Sequence, residues 1–386
     1  MRFELATASK IVFGDGERRR LPALVREAIG RAPVLFVTGG DTSRTAQLRS
    51  ALAQEGIEPH ALGIAGEPAI AEAVEGVSIA RERGAIAVVA VGGGSVLDLG
   101  KAIAALMTNG GDPLDYLEVI GRGRPLERPA APVFAVPTTA GTGSEVTKNA
   151  VLASPEQGVK ASLRHDSMLP RVALVDPELT WTVPPRVTAA TGLDALTQLV
   201  EPFVSPHASP VTDALCREAI PRSARSLLRA FQDGRDAGAR RDLALASLFG
   251  GIALANAKLG AVHGFAGPIG GMFRAPHGAV CARLLPLVME ANVAALRARA
   301  PASPALARYA EVARLITGGA DASIEDGIEW ARALVQDLRI ARLADYGLTP
   351  EDIPTVVERA ARSSSMKGNP IELEPGELAH ILERAR

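Results

Sequence analysis

The run AIAVVAV at residues 85–91 does most to narrow the fold, because it is apolar on both faces and stops at Gly92, Gly93 and Gly94. A strand with two apolar faces has to be covered on both, the situation of an inner strand in a parallel sheet flanked by helices. Shorter apolar or β-branched runs recur at residues 11–13, 34–38, 133–137 and 172–176, with helical periodicity between some of them at 45–54 and 69–83. Strands alternating with helices predict an α/β front half. After Asp176 the pattern changes, and from Pro185 onward Ala-, Leu- and Arg-rich segments follow one another at helical spacing. The back half is therefore expected to be all helix, with the boundary at 181–185 and units of 1–180 and 181–386. No Gly/Ser linker joins them, which predicts packed domains with a cleft and not a flexible tether.

A chain of 386 residues is long for a single core, and 47% hydrophobic with 22% charged residues is ordinary for a folded globular protein. Its 42 Lys plus Arg against 43 Asp plus Glu leave a formal charge of -1, giving no electrostatic basis for a nucleic acid or an anionic membrane as partner. The basic run at 18–20 reads as a solvated helix face. Cys216 and Cys281 read as buried small apolar residues and fit a reducing compartment. The N-terminal residues lack a signal-peptide core, and no window is read as reaching the ~20 apolar residues of a membrane span, so the expected location is the cytoplasm.

Two turns follow apolar runs. Gly92, Gly93, Gly94 and Ser95 lead from a buried strand into a helix, where backbone amides favour an anion, and Asp98 follows on the first turn. The spacing is not GxGxxG, so residue chemistry alone reaches only a phosphate or other anion at a strand-to-helix turn, or a plain tight turn. The second, PTTAGTGSEVT, carries Thr138, Thr139, Thr142, Ser144 and Thr147, hydroxyls able to bind a polar ligand. In the back half Asp194 and Gln198 share one helix face, and His263 and His277 lie further on, the latter after a proline suited to a helix start. A carboxylate, an amide and two imidazoles form a usable oxygen and nitrogen set for a divalent first-row metal, although either histidine alone reads first as a hydrogen-bonded core or capping residue.

In that order and spacing, VGGGSVLDLGKA, PTTAGTGSEVT, GLDALTQLVEPFVS and AVHGFAGPIGGMFRAPHGA resemble the iron-containing (group III) alcohol dehydrogenase family over nearly the whole chain. The resemblance implies an N-terminal dinucleotide-binding domain, an all-α C-terminal domain, and NAD(P)-dependent conversion of a small alcohol or aldehyde. It implies that Gly92–Ser95 hold the pyrophosphate with Asp98 beside it, and that Thr138, Thr139, Thr142 and Thr147 line the nicotinamide and adenosine. Lys160 is a further candidate for cofactor contact. It implies a divalent metal, iron first and zinc second, on Asp194, Gln198, His263 and His277, and a homodimer or larger homo-oligomer.

The sequence departs from the family's pattern where Gln198 replaces a metal-binding imidazole and where Gly267 replaces a further histidine. At Gly39, where NAD-selective relatives carry a carboxylate, its absence leaves room for NADP. Rival readings are a metal-independent reductase of the maleylacetate reductase kind, a lyase of the dehydroquinate synthase kind, and a non-catalytic assembly module.

Overall fold

The computed structural model describes residues 2–386, which divide into two compact units. The first comprises Ala6–Thr139 and Gly143–Thr180. Its main sheet holds β1 (Ile11–Phe13), β2 (Val34–Gly39), β3 (Pro59–Ile64), β4 (Ala87–Gly92), β5 (Val133–Pro137) and β8 (Val172–Val175), in the order β1-β8-β5-β4-β2-β3 and parallel throughout. The remaining strands, β6 (Asn149–Ser154) and β7 (Val159–Arg164), form a separate antiparallel ribbon. Helices α1 (Leu21–Ile29), α2 (Ala46–Gln54), α3 (Ile70–Glu82) and α4 (Gly94–Asn109) accompany the sheet. Every residue of β4 is buried, as an apolar inner strand requires. Two apolar clusters form, one with Val88 and Ala90 and the other with Val89 and Val91, so alternate side chains of β4 feed opposite faces.

Three strands lie outside the expected runs. β3 begins with Pro59 at the sheet edge, where a missing N–H costs no ladder bond, and its mixed exposure hides it from a search for apolar runs. β6 and β7 alternate buried with partly exposed residues and are joined by the turn at 155–158, so part of the presumed loop is a hairpin. Arg18, read as solvated, pairs with buried Asp176 and with Glu178.

The second unit contains residues 181–386 together with two short segments, 2–5 and 140–142, that the sequence boundary had placed with the front half. Among the described residues from 181 onward the named elements are all helical: α5 (Pro185–Val204), α6 (Pro210–Gln232), α7 (Ala237–Ala257), α8 (Ala261–Phe273), α9 (His277–Arg299), α10 (Pro304–Thr317), α11 (Ile324–Asp337), α12 (Ile353–Ala361) and α13 (Pro375–Ala385), with short 3₁₀ turns. Contrary to the sequence reading, α9 is long and apolar enough to cross a bilayer, but 78% of that window is buried within the protein, as in a core helix.

Candidate functional site

Three helices of the second unit bring their polar side chains to one point. On α5, Asp194, Gln198 and Glu201 are spaced at i, i+4 and i+7 and all are buried. His263 sits in the first turn of α8. His277 opens α9, and Cys281 follows one turn later. Asp194 Oδ1 lies 3.3 Å from His263 Nε2 and 3.7 Å from His277 Nε2. One donor atom from each of Asp194, His263, His277 and Cys281 falls within 4.8 Å of all the others. The two imidazole rings have centroids 5.4 Å apart, tilted by 51°.

What these atoms lack matters more than what they touch. Six buried side-chain nitrogen or oxygen atoms have no hydrogen-bond partner among the described residues, and Asp194 Oδ1, Gln198 Oε1 and His263 Nε2 are three of them. Leaving a buried polar atom unpaired costs about 1–3 kcal/mol; Asp194 Oδ1 and His263 Nε2, 3.3 Å apart but without a hydrogen bond, mark a place built for something else to pair with, and Gln198 Oε1 is a third such atom one turn along α5. The two oxygens present lone pairs, as does His263 Nε2 when the ring is neutral and protonated on Nδ1, which suits a cation.

The electrostatics agree. Burial opposes ionisation of Asp194, yet His277 and His263 outweigh it and hold the carboxyl below its ordinary range. Burial likewise opposes charge on His263, but Cys281, Glu201 and Asp194 together raise its pKa well above the usual value. A field that retains a proton against burial also favours a metal cation.

Glu201, absent from the sequence-level candidates, fixes the orientation of His263. Its Oε2 accepts from His263 Nδ1 at 2.6 Å and its Oε1 accepts from the Val262 backbone amide at 2.7 Å. With a metal bound and the proton kept on Nδ1, the Nε2 lone pair would be free to ligate, the usual means of orienting a ligating histidine. Gly260 makes room for this: a Cβ there would meet Glu201 Oε1 and Asn369 Oδ1 at 2.9 Å each. The i+7 spacing from Asp194 was the available signal. Cys281 is buried in an apolar cluster as expected, but the apolar reading missed its neighbour, since Sγ lies 3.7 Å from His277 Nε2. At Gly267 a Cβ would meet no atom within 4 Å, so no neighbouring side chain fills the place of the family histidine.

In the first unit the two turns are brought together. β4 and β5 are neighbours with Gly92 opposite Pro137, the Thr138 amide donates to the Gly92 carbonyl at 2.9 Å, and a Cβ on Gly93 would lie 3.3 Å from Thr139 Oγ1. No side chain caps α4, which starts at Gly94 and Ser95, so its first-turn amides suit a phosphate. At Gly92 a Cβ would come within 2.5 Å of Val96, so a side chain would disrupt this approach.

Other candidates are placed differently. Thr142 belongs with the helical unit, where the neighbouring Gly141 amide donates to Ser247 Oγ at 2.8 Å. Asp98, expected beside a pyrophosphate, instead accepts from Ser144 Oγ and from the Val151 amide at 3.0 Å, and pairs with Lys101 at 3.1 Å. Lys101, fully buried, donates to Thr147 Oγ1 at 2.9 Å and to the Ser144 carbonyl at 3.0 Å. Lys160 pairs with Glu67 at 2.6 Å. Gly39 ends β2 with open space where a Cβ would stand, and Asp41 lies two residues on, accepting from the Ser43 amide.

Comparison with known proteins agrees with this arrangement. Residues 8–177 match the iron-containing alcohol dehydrogenase family, and residues 188–386 match the C-terminal part of the Fe-containing alcohol dehydrogenase family. Alcohol dehydrogenase 4 of Saccharomyces cerevisiae is 36% identical over 319 residues, 82% of this chain and 80% of the yeast protein. The crystal structure of a 1,3-propanediol oxidoreductase superposes with a TM-score of 0.90 at 33% identity over the whole of both chains. That of sulfoacetaldehyde reductase from Bifidobacterium kashiwanohense, in complex with NAD+, does so with a TM-score of 0.87 at 30% identity, covering 99% of this chain and 98% of the other. With the family matched along almost its full length, the chain belongs to the iron-containing alcohol dehydrogenases.

Proposed function

We propose that the protein is an NAD(P)-dependent oxidoreductase that interconverts a small alcohol and its aldehyde with the help of a divalent metal, iron or zinc. The observation that carries this reading is the set of unpartnered buried atoms on Asp194, Gln198 and His263. A metal-independent reductase would have no use for them. When bound, the metal polarises the substrate oxygen and the nicotinamide gives or takes the hydride.

The side chains have positioning roles. Asp194, His263, His277 and the Gln198 amide oxygen would hold the metal, and Glu201 keeps the His263 ring turned toward it. The uncapped start of α4 at Gly92–Ser95, with Thr138 and Thr139 beside it, would hold the pyrophosphate. The Lys101, Asp98, Ser144 and Thr147 network braces that loop from beneath. The relatives' names support the reaction class, and the NAD+ complex of the sulfoacetaldehyde reductase supports the cofactor. A cytoplasmic location is favoured by two free, buried cysteines. A homo-oligomer rests on family membership and is checked by light scattering.

Elemental analysis of the purified protein, with turnover of an aldehyde panel under NADH and NADPH, tests the reading. It predicts near-stoichiometric iron or zinc and aldehyde-dependent oxidation of at least one cofactor. Full turnover in metal-stripped protein would refute it.

A further inference from the structure

Cys281 is the one donor in the cluster that the metal set proposed above leaves out. It stands one turn after His277 on α9, fully buried, with Sγ 3.7 Å from His277 Nε2 and within 4.8 Å of the Asp194 and His263 donor atoms. The place it faces is independently marked as a ligand site by Asp194 Oδ1 and His263 Nε2, neither of which has a hydrogen-bond partner and each of which is on a side chain more than nine-tenths buried. Gln198, meanwhile, offers only a weak amide oxygen. The cluster thus holds a strong soft donor, while Gln198 adds no third imidazole nitrogen to those of His263 and His277.

We propose that the Cys281 sulfur is a direct ligand of the resident metal, supplying the strong donor that Gln198 does not, and that it shifts the site from iron toward zinc. Thiolate ligands favour zinc, whereas oxygen and nitrogen sets are more permissive. As the sulfur–metal bond forms, the S–H bond breaks and its proton passes to solvent. The inference rests on the metal-dependent reading and deepens it.

The test is cobalt substitution followed by metal competition in the full-length protein. Cobalt-loaded wild type should show a near-ultraviolet sulfur-to-cobalt charge-transfer band, absent from cobalt-loaded Cys281→Ser and Cys281→Ala. Offered equal Fe2+ and Zn2+ without oxygen, wild type should take up mainly zinc, and the zinc-to-iron ratio of Cys281→Ser should fall by about tenfold, the lower end of what ligand-shell changes do. One cobalt per chain with no such band, or an unchanged ratio in the variant, overturns the role of Cys281 while leaving a metal-dependent oxidoreductase standing. No metal uptake by wild type at all removes the metal-dependent reading and this inference together. The wild-type spectrum decides the matter even if neither variant folds.

Discussion

Each unit contains a cluster of buried polar side chains, and the clusters differ in whether their atoms satisfy one another. Beneath the glycine turn, Lys101, Asp98, Ser144 and Thr147 use their hydrogen-bonding capacity on each other and on nearby backbone. On α5 and α8, Asp194, Gln198 and His263 each keep a buried atom without a hydrogen-bond partner, although Asp194 Oδ1 stands 3.3 Å from His263 Nε2. Both clusters cost desolvation. The first recovers that cost internally and is a framework; the second recovers it only with a ligand.

The sharpest way to break this contrast is Asp194→Ala. Metal content and turnover should fall to background in elemental analysis and rate assays, while dinucleotide affinity by fluorescence titration stays near wild type. Equal loss of both would show that the clusters are not separate sites. Next comes Lys101→Met, which leaves Asp98 and Glu145 without their buried counter-charge. It should cost about 3 kcal/mol in denaturant unfolding, with metal stoichiometry kept in the protein that remains folded. Glu201→Gln should weaken metal binding about 10- to 100-fold in competitive chelator titrations by loosening His263, with little loss of stability.

Glu145 gives a pH handle on the framework. Burial raises its pKa to about 7, with its own backbone and Lys101 pulling the other way. Because the folded state holds that proton more tightly than the unfolded chain, its contribution to stability is full below the ordinary carboxyl pKa and is lost as pH rises through about 7. Glu145→Gln should flatten that slope in pH-dependent unfolding; an unchanged slope would place the titration elsewhere. Gly39→Asp should have the smallest effect, a shift in kcat/KM toward NADH over NADPH, since the position has room for the side chain.

How much was legible in the sequence follows the same division. Inner strands such as β4 are apolar on both faces and announce themselves, whereas β3 at the edge and the β6–β7 ribbon have mixed exposure and were not picked out as strands. Asp194 with Gln198 was visible as an i, i+4 pair, and the two histidines gained meaning from the family's order of motifs. Glu201 at i+7 and Cys281 four residues after His277 share the same helical spacings, but Glu201 was passed over and Cys281 was read as a small apolar residue. Part of the hydroxyl-rich loop has a structural use that sequence could not show. Sequence cannot show that the Ser144 hydroxyl donates to Asp98 or that buried Lys101 donates to the Thr147 hydroxyl.

The most direct measurement is an anomalous difference map from crystals grown with zinc or iron. One peak per chain, bonded to Asp194, His263 and His277, is the predicted result. A protein that binds dinucleotide and takes up metal, but shows its peak elsewhere, would contradict the claim that the unpaired atoms exist to hold a cation.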